Sequence, residues 1–333
     1  MLIPLFCKSR LCRVKVKYVP ELSVLITNCS NICTSNVSRK LFYRSSFSKM
    51  AKNFDNDKSV FEGTPDRFKG VTIHSDKEKC DINEFAKKLE DSLEFWKENG
   101  KRGIWFRVHL DQSDWVPVLT KNGFKFHHAK EEFVMMYLWL PKEEHCNIPQ
   151  YAHTMIGVGA VVVNDKSQVL VVTERYSVIN KPFWKLPGGY VESNEHMVDA
   201  AIREVLEETG IMTEFQSVLT FRHAHGGMFG CSDIYTVVSL KPLSEEIKKC
   251  EREIMECKWM DLDEYLNHPN VHELNRFFVK KYLEYNKHNI KINCSQGYHS
   301  VVKKTYHIYS VTKHDIEPHG DISEATTSEN SKL

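Results

Sequence analysis

Residues 183–211 constrain this chain more than any other segment, because adjacent glycines there precede a regular pattern of acidic residues. Glu204, Glu207 and Glu208 are three and four positions apart, with Arg203 directly before them. Residues at these spacings share one face of a helix. The segment therefore predicts a helix that carries three carboxylates on the same side.

The start of this helix is predicted near Ser193 or Asn194, since either residue type can serve as an N-cap. Carboxylates that share a helical face repel one another unless a cation lies among them. Hard divalent cations such as Mg²⁺ and Mn²⁺ prefer carboxylate and carbonyl oxygens, and the pliable Gly188–Gly189 backbone can bring a carbonyl to the same ion. A solvated acidic face is the alternative, which the fixed offsets of the glycine pair and Glu195 disfavour.

The segment resembles the Nudix box, the pattern G-x5-E-x7-R-E-U-x-E-E-x-G-U in which U is a bulky aliphatic residue. Members of the Nudix family hydrolyse a nucleoside diphosphate linked to another group. Water attacks phosphorus in this reaction, and a divalent metal holds the phosphate oxygens. Every defined position of the pattern matches, namely Gly189, Glu195, Arg203, Glu204, Val205, Glu207, Glu208, Gly210 and Ile211.

The resemblance implies metal ligands, a general base and a structural frame. The expected metal ligands are the Gly188 carbonyl, Glu204, Glu207 and Glu208. The expected structural residues are Gly189, Glu195 and Gly210. Arg203 is expected to orient the carboxylates by pairing with Glu195 or with a catalytic glutamate. The base is left open between Glu207 and Glu256, since Glu256 matches a position where many members carry a ligand or base. A plain surface role for Glu256 is the alternative.

Composition excludes several other classes of protein. The chain has 333 residues, 41% of them hydrophobic and 27% charged, which indicates about two globular domains. The formal net charge of +1 gives no overall field that would favour a nucleic-acid partner. The ten cysteines include no C-x-x-C pair, which argues against a disulfide framework and against a zinc site. No apolar run reaches the roughly 18 residues needed to span a membrane.

Residues 1–54 differ from the rest of the chain because they carry ten lysines and arginines against a single acid, Glu21. Basic composition with serines and few acids is typical of a mitochondrial transit peptide. One alternative is a disordered basic tail. Another is sequence upstream of a start at Met50, which would leave a cytoplasmic or nuclear form.

Residues 55–145 predict a small α+β domain. Residues 81–98 carry apolar side chains at helical spacing and end at an Asn-Gly pair whose glycine can adopt a left-handed conformation. The predicted order is strand, helix, strand, helix, strand, strand. His127 and His128 are adjacent on one strand and are expected to face opposite ways. The arrangement is similar to the domain that precedes the Nudix domain in one subgroup, with the layout of half an acetyltransferase fold. The expected role is substrate shaping or dimerisation.

The resemblance implies a Nudix domain over 150–286, an α/β/α sandwich with a mixed sheet, so that the whole chain is of the α+β class. Residues 156–163 form an apolar run typical of a strand buried on both faces. Further elements are predicted as strands at 169–173, 215–223 and 232–240 and as a helix at 272–286. Residues 287–333 predict an extension that is disordered at its end.

A glycine-rich segment, 222–233, lies between two of the predicted strands. Its glycines allow close approach to a ligand, so Arg222 and Phe229 are predicted substrate contacts, together with Trp184 before the box. Two histidines in the segment leave a second metal site open as an alternative. The segment resembles the same subgroup, which includes the antisense basic fibroblast growth factor gene product of animals and several plant Nudix hydrolases.

The expected substrate is a small nucleoside diphosphate derivative. The chain lacks the S-Q-P-W-P-F-P-x-S extension of dedicated NADH pyrophosphatases, the proline after the box of ADP-ribose enzymes and the coenzyme A signature. Resemblance to the plant subgroup favours ADP-ribose or an NADH-like dinucleotide. The competing hypothesis is a catalytically weak nucleotide-binding or growth-regulatory interaction protein on a Nudix fold, against which the intact glutamates argue. A homodimer is expected. Binding to a membrane or to a specific nucleic acid is not expected.

Overall fold

A computed structural model describes residues 59–78, 80–176 and 183–312 of the chain. The predicted targeting segment 1–54 and the polar residues 315–333 lie outside the described residues. All the described helices and strands belong to one compact unit that begins at Phe61. None of the described helices is long and apolar enough to cross a membrane.

The N-terminal part consists of a five-stranded sheet and two helices. Its elements are β1 (Thr64–Pro65), β2 (Val71–His74), α1 (Ile82–Glu98), β3 (Gly103–His109), α2 (Trp115–Lys121), β4 (Lys125–Lys130) and β5 (Phe133–Trp139). The strands lie in the order β1-β2-β3-β5-β4, and only β2 and β3 run parallel. Apart from the short β1, this is the predicted order of elements. The likeness to half an acetyltransferase fold stays a prediction.

Helix α1 forms because its ends are capped and one face is apolar. The Asp81 carboxylate accepts the Asn83 amide at 2.9 Å, which satisfies one free donor of the first turn. Its inner face packs on an aromatic core in which Phe85 and Trp115 stack with ring centroids 4.2 Å apart. This core draws only on residues 61–140, so the N-terminal part has a hydrophobic core of its own.

The prediction that His127 and His128 face opposite ways is wrong. The pairing of β4 with β5 shifts register between Phe126 and His128, which marks a β-bulge. The extra residue breaks the strict alternation of side chains, and the two imidazole Nδ1 atoms lie 2.7 Å apart. A bulge of this kind depends on the partner strand, so the local sequence did not indicate it.

The C-terminal part is a mixed sheet between two layers of helices. Its elements are β6 (Thr154–Val162), β7 (Gln168–Glu174), α3 (Met197–Thr209), β8 (Thr213–Ala224), β9 (Ser232–Pro242), β10 (Ile254–Asp261), α4 (Leu262–Asn267) and α5 (Glu273–Lys287). Strands β6 and β9 pair in parallel, β8 pairs antiparallel with β9, and β7 pairs antiparallel with β10.

Residues 184–190 fill the space between β6 and β7. Lys185 exchanges two backbone hydrogen bonds with Val172 of β7, at 2.9 and 3.0 Å. On the other side, the carbonyls of Pro187 and Gly189 accept amides of β6 at 3.0 and 2.8 Å. This segment therefore continues the hydrogen bonding across the sheet and carries the glycine pair into its centre.

Each face of this sheet buries a separate core. One core contains Val205 of α3, and the other contains Tyr265 of α4 together with Phe278 and Val279 of α5. Strand β6 supplies side chains to both cores, which explains its unbroken apolar sequence. The predicted α/β/α sandwich with a mixed sheet is confirmed.

A hairpin follows α5 where the sequence predicted only an extension. It consists of β11 (Lys291–His299) and β12 (Lys304–Thr312), which pair antiparallel along their whole length. Ile292 at its base donates its amide to Ser217 Oγ of β8 at 3.0 Å. Most of its side chains are half-buried or exposed, so the hairpin lacks the apolar pattern by which a strand is recognised.

Candidate active site

Helix α3 carries the predicted carboxylates, but it begins later than predicted. Its N-cap is His196, whereas Asn194 adopts a left-handed φ of +67° and is not part of the helix. The amide of Glu195 donates to the Glu192 carbonyl at 3.2 Å, which closes a turn in front of the helix. That turn lets the Glu195 side chain point back toward the helix and accept hydrogen bonds from Arg203. These contacts outweigh the preference of Ser193 and Asn194 for the N-cap position.

Helix α3 ends at a glycine. Gly210 is left-handed, with φ +74°, and its amide donates to the Leu206 carbonyl at 2.9 Å. A Cβ at this position would lie 2.7 Å from the Cβ of Lys248, so a larger residue would also displace the chain that packs there. Gly210 thereby fixes where the helix stops.

Arg203 connects four groups of the site. Its Nε and Nη2 donate to the two oxygens of Glu195 at 2.7 and 3.0 Å. Its Nη1 donates to Glu204 at 2.9 Å and to Glu207 at 3.1 Å, and Nη2 also donates to the Tyr190 carbonyl at 3.1 Å. These contacts use all five N–H groups of the guanidinium. Arg203 therefore pairs with Glu195 and with two carboxylates of α3, and its role in orienting them stays a prediction.

Glu208 turns toward the glycine pair rather than toward Arg203. Its carboxylate accepts the Gly188 amide at 3.0 Å and lies 3.9 Å from Lys185 Nζ. Burial raises the pKa of Glu208 to about 7, against the opposing pull of Lys185 and of the Gly188 amide. Only 8% of its side chain is exposed, so the charged form of Glu208 needs a cation close by.

The glycine pair makes room for these contacts. Gly188 has φ +152°, and a Cβ there would overlap with the carbonyl of Val158. A Cβ at Gly189 would lie 2.6 Å from the carboxyl carbon of Glu204. The neighbouring carbonyls, of residues 187 and 189, bond to β6, whereas the Gly188 amide donates to Glu208.

Burial also acts on Glu204. It raises the pKa of this carboxyl, while the Arg203 guanidinium lowers it. The side chain of Glu204 is 16% exposed and that of Glu207 is 60% exposed. The helix thus presents one buried carboxylate, one that is half-buried and one that faces solvent.

The donor set fits a hard divalent cation, although its carboxylates are held by protein cations. Among the described residues, no group of three or more His, Cys, Asp or Glu is arranged to hold a metal ion. Glu204 and Glu207 contact Arg203 instead, and Glu208 contacts Lys185. Buried carboxylates with raised pKa values, next to a backbone carbonyl, are nevertheless the oxygen ligands that Mg²⁺ and Mn²⁺ prefer.

Glu256 is not brought together with the carboxylates of α3. Its amide donates to Thr173 Oγ1 on β7 at 3.1 Å. The next residue, Cys257, packs on the α3 side of the sheet, where burial, with Glu208 nearby, raises the pKa of its thiol to about 12. Successive side chains of a strand alternate, so Glu256 projects from the opposite face.

The three predicted substrate contacts lie in different environments. Arg222 forms an ion pair with Asp233 and lies 5.5 Å from the centroid of the Tyr235 ring. Phe229 is 83% exposed and has φ +57°. Trp184 is 8% exposed and belongs to the core on the α4–α5 side. The first two are accessible to a ligand, and Trp184 packs in the core.

Lys185 is a site residue that was not predicted from the sequence. This lysine forms an ion pair with Glu174 at 2.6 Å and lies within 3.9 Å of Glu208. A lysine just ahead of the glycine pair, in a segment otherwise apolar, was the available signal. Its side chain direction depends on pairing with β7, which the sequence pattern did not reveal.

Comparison with protein families identifies both parts of the chain. A model of the Nudix hydrolase domain matches residues 61–140, and a model of the NUDIX domain matches residues 153–282.

Several relatives are similar over about 60% of the chain. Nudix hydrolase 8 of Arabidopsis thaliana is 38% identical over 216 residues, which are 65% of this chain and 58% of that protein. Nudix hydrolase 2 of Arabidopsis thaliana is 40% identical over 59% of this chain and 71% of that protein. Nucleoside diphosphate-linked moiety X motif 6 of Homo sapiens is 37% identical over 63% of this chain and 68% of that protein.

Proposed function

Because the chain belongs to the Nudix hydrolase family, whose members hydrolyse nucleoside diphosphates linked to another moiety, we propose that it cleaves ADP-ribose or an NADH-like dinucleotide with Mg²⁺ or Mn²⁺. The observation that supports the proposal is that α3 carries all three carboxylates, with Glu204 and Glu207 held by Arg203 and Glu208 held by the Gly188 amide. Nudix hydrolases generally need divalent metal ions, and this cluster holds the oxygen donors that such an ion requires.

Each carboxylate has its own place in the proposed reaction. Glu204, Glu208 and the Gly188 carbonyl would hold the metal. The metal would lower the pKa of water and neutralise the charge that grows on the phosphates. Glu207 accepts the proton of the attacking water, since it is the exposed member of the cluster and keeps a single anchor on Arg203. Arg203 holds the geometry of the carboxylates throughout.

The segment between β8 and β9 supports a nucleotide substrate. Phe229 offers an exposed ring on which a base can stack. The buried Nε of Arg222 has no hydrogen-bond partner among the described residues. A donor left unpaired in this way is costly, and a polar group of a ligand would satisfy it.

The proposal is tested by release of mononucleotide from ADP-ribose, NADH, coenzyme A, FAD and diadenosine polyphosphates, each with Mg²⁺ or Mn²⁺. Glu207→Gln is expected to lower kcat on the best substrate about a hundredfold or more, the size expected for a general base. Glu256→Gln is the matched control, because this glutamate lies on the other face of the sheet, and it is expected to leave kcat within a few-fold of wild type.

Two outcomes contradict the proposal. If Glu256→Gln abolishes turnover and Glu207→Gln does not, the assignment of the base is wrong. If no compound is hydrolysed while nucleotide still binds, the chain is a nucleotide-binding or growth-regulatory interaction protein on this fold.

A further inference from the structure

Lys185 lies at the edge of the carboxylate cluster without a part in the reaction described so far. Its backbone is fixed by two hydrogen bonds with Val172, at 2.9 and 3.0 Å, so its position in the sheet is well defined. Its Nζ lies 3.9 Å from Glu208, and the Glu208 carboxylate also accepts the Gly188 amide. The ammonium group therefore occupies the side of the cluster where the metal is expected.

The partners of Lys185 leave it available to an anion. Its shortest contact is Glu174 at 2.6 Å, but 51% of the Glu174 side chain is exposed. Ion pairs with solvent-exposed partners stabilise a protein little, so this contact is readily exchanged. The Lys185 side chain is itself 27% exposed, so the protein does not enclose it completely.

Arg203, the other cation of the cluster, cannot serve the same purpose. Its five N–H groups are all taken by Glu195, Glu204, Glu207 and the Tyr190 carbonyl. A phosphate oxygen could bind Arg203 only by displacing a carboxylate that the guanidinium orients. Lys185 has three donors and, within the part of the chain that the structure describes, two carboxylate partners, one of them a predicted metal ligand.

We propose that Lys185 binds a non-bridging oxygen of the substrate diphosphate once a divalent ion has replaced it as the cation next to Glu208. The inference rests on the proposed function, because it takes the diphosphate as the ligand. A metal on Glu208 removes the need for Lys185 to offset that carboxylate. The ammonium then stands beside the phosphates that the metal attracts, and a compact point charge suits a phosphate oxygen.

The test measures binding of methylenediphosphonate, a diphosphate that is not hydrolysed, by calorimetry with saturating Mn²⁺. Lys185→Met is expected to weaken binding at least about tenfold, the size of one charge-assisted hydrogen bond, and Lys185→Arg to retain most of the affinity. Lys166→Met is the matched control, because Lys166 also pairs with a glutamate, Glu245 at 2.9 Å, in the turn between β6 and β7. It is expected to bind as wild type does.

A second variant keeps the test decisive if Lys185→Met does not fold. Glu174→Gln removes the exposed ion-pair partner of Lys185 and leaves the ammonium group without that carboxylate. Binding of methylenediphosphonate by this variant is expected to be unchanged or a few-fold tighter. Weaker binding by Glu174→Gln, or unchanged binding by Lys185→Met at saturating Mn²⁺, would overturn the inference and leave the proposed hydrolase intact. Absence of Mn²⁺-dependent binding by wild type would overturn both.

Discussion

The burial of Glu208 makes the stability of the folded protein depend on pH. Its pKa in the folded protein is about 7, above the usual 4.5, because burial disfavours the charged carboxylate. A group whose pKa is raised on folding contributes stability that is fully present below its unfolded pKa and is lost as pH rises through the folded value. The metal-free protein should therefore lose stability between pH 4.5 and 7 on account of Glu208.

Glu208→Gln is expected to remove this loss. Over that pH range the free energy of unfolding of the metal-free wild type should fall relative to the variant by at most about 3 kcal/mol, the equivalent of the pKa shift. Urea unfolding at pH 5 and pH 7.5 measures the difference. Glu207→Gln is the control, because it removes a carboxylate from the same helix whose side chain is 60% exposed. Parallel pH dependences for wild type and Glu208→Gln would contradict the prediction.

The C-terminal hairpin of β11 and β12 packs against the start of α3. His307 of β12 lies with its Nδ1 2.9 Å from Nδ1 of His196, the N-cap of α3. Tyr309 of the same strand packs against the core that α3 helps to form. The hairpin thus contacts the first turn of the helix whose later turns carry the carboxylates.

His307→Ala should loosen the first turn of α3. Loss of one hydrogen bond is expected to lower the free energy of unfolding by about 0.5–1.5 kcal/mol. Amide hydrogen exchange over residues 197–201 should accelerate, while exchange in α5 stays as in wild type. His299→Ala, at the far end of the hairpin, is the control. Unchanged hydrogen exchange in α3 would mean that the hairpin contacts the helix without stabilising its first turn.

The described residues form an N-terminal part with one core and a C-terminal part with two, and no core is shared between the parts, which predicts two unfolding steps. Leu89 is fully buried in the core of the N-terminal part. Leu89→Ala should lower the stability of that part by about 2–5 kcal/mol, the usual cost of such a cavity, and leave hydrolysis at low temperature unchanged. Calorimetry should show one transition displaced and one unmoved. An equal shift of both transitions would show that the two parts unfold as one unit.

Helix α3 and its carboxylates could be predicted because they depend on local rules. Helical spacing places Glu204, Glu207 and Glu208 on one face whatever surrounds the helix, and a glycine ends the helix where a left-handed residue is needed. The apolar run of β6 likewise indicated a strand buried on both faces. In these cases the periodicity of the side chains alone carries the information.

The first turn before α3, the bulge at His127–His128 and the hairpin after α5 could not be predicted in the same way. Each is decided by particular contacts that the pattern of residue types does not contain, such as the hydrogen bond of Arg203 to Glu195 or the shifted pairing of β4 with β5. Hydrogen bonds of this kind outweigh the weaker preference of a residue for a cap or an alternating strand.

The sequence by itself therefore determined which oxygen donors the candidate site contains, because Glu204, Glu207 and Glu208 stand at helical spacing in one segment. Only the tertiary structure decided which lysine and arginine side chains form ion pairs with those carboxylates. It directs Lys185 toward Glu208 through pairing with β7, and it places Glu256 on the opposite face of the sheet. The physical reason is that charge neutralisation depends on distance in space, which strand pairing sets and a linear pattern does not contain.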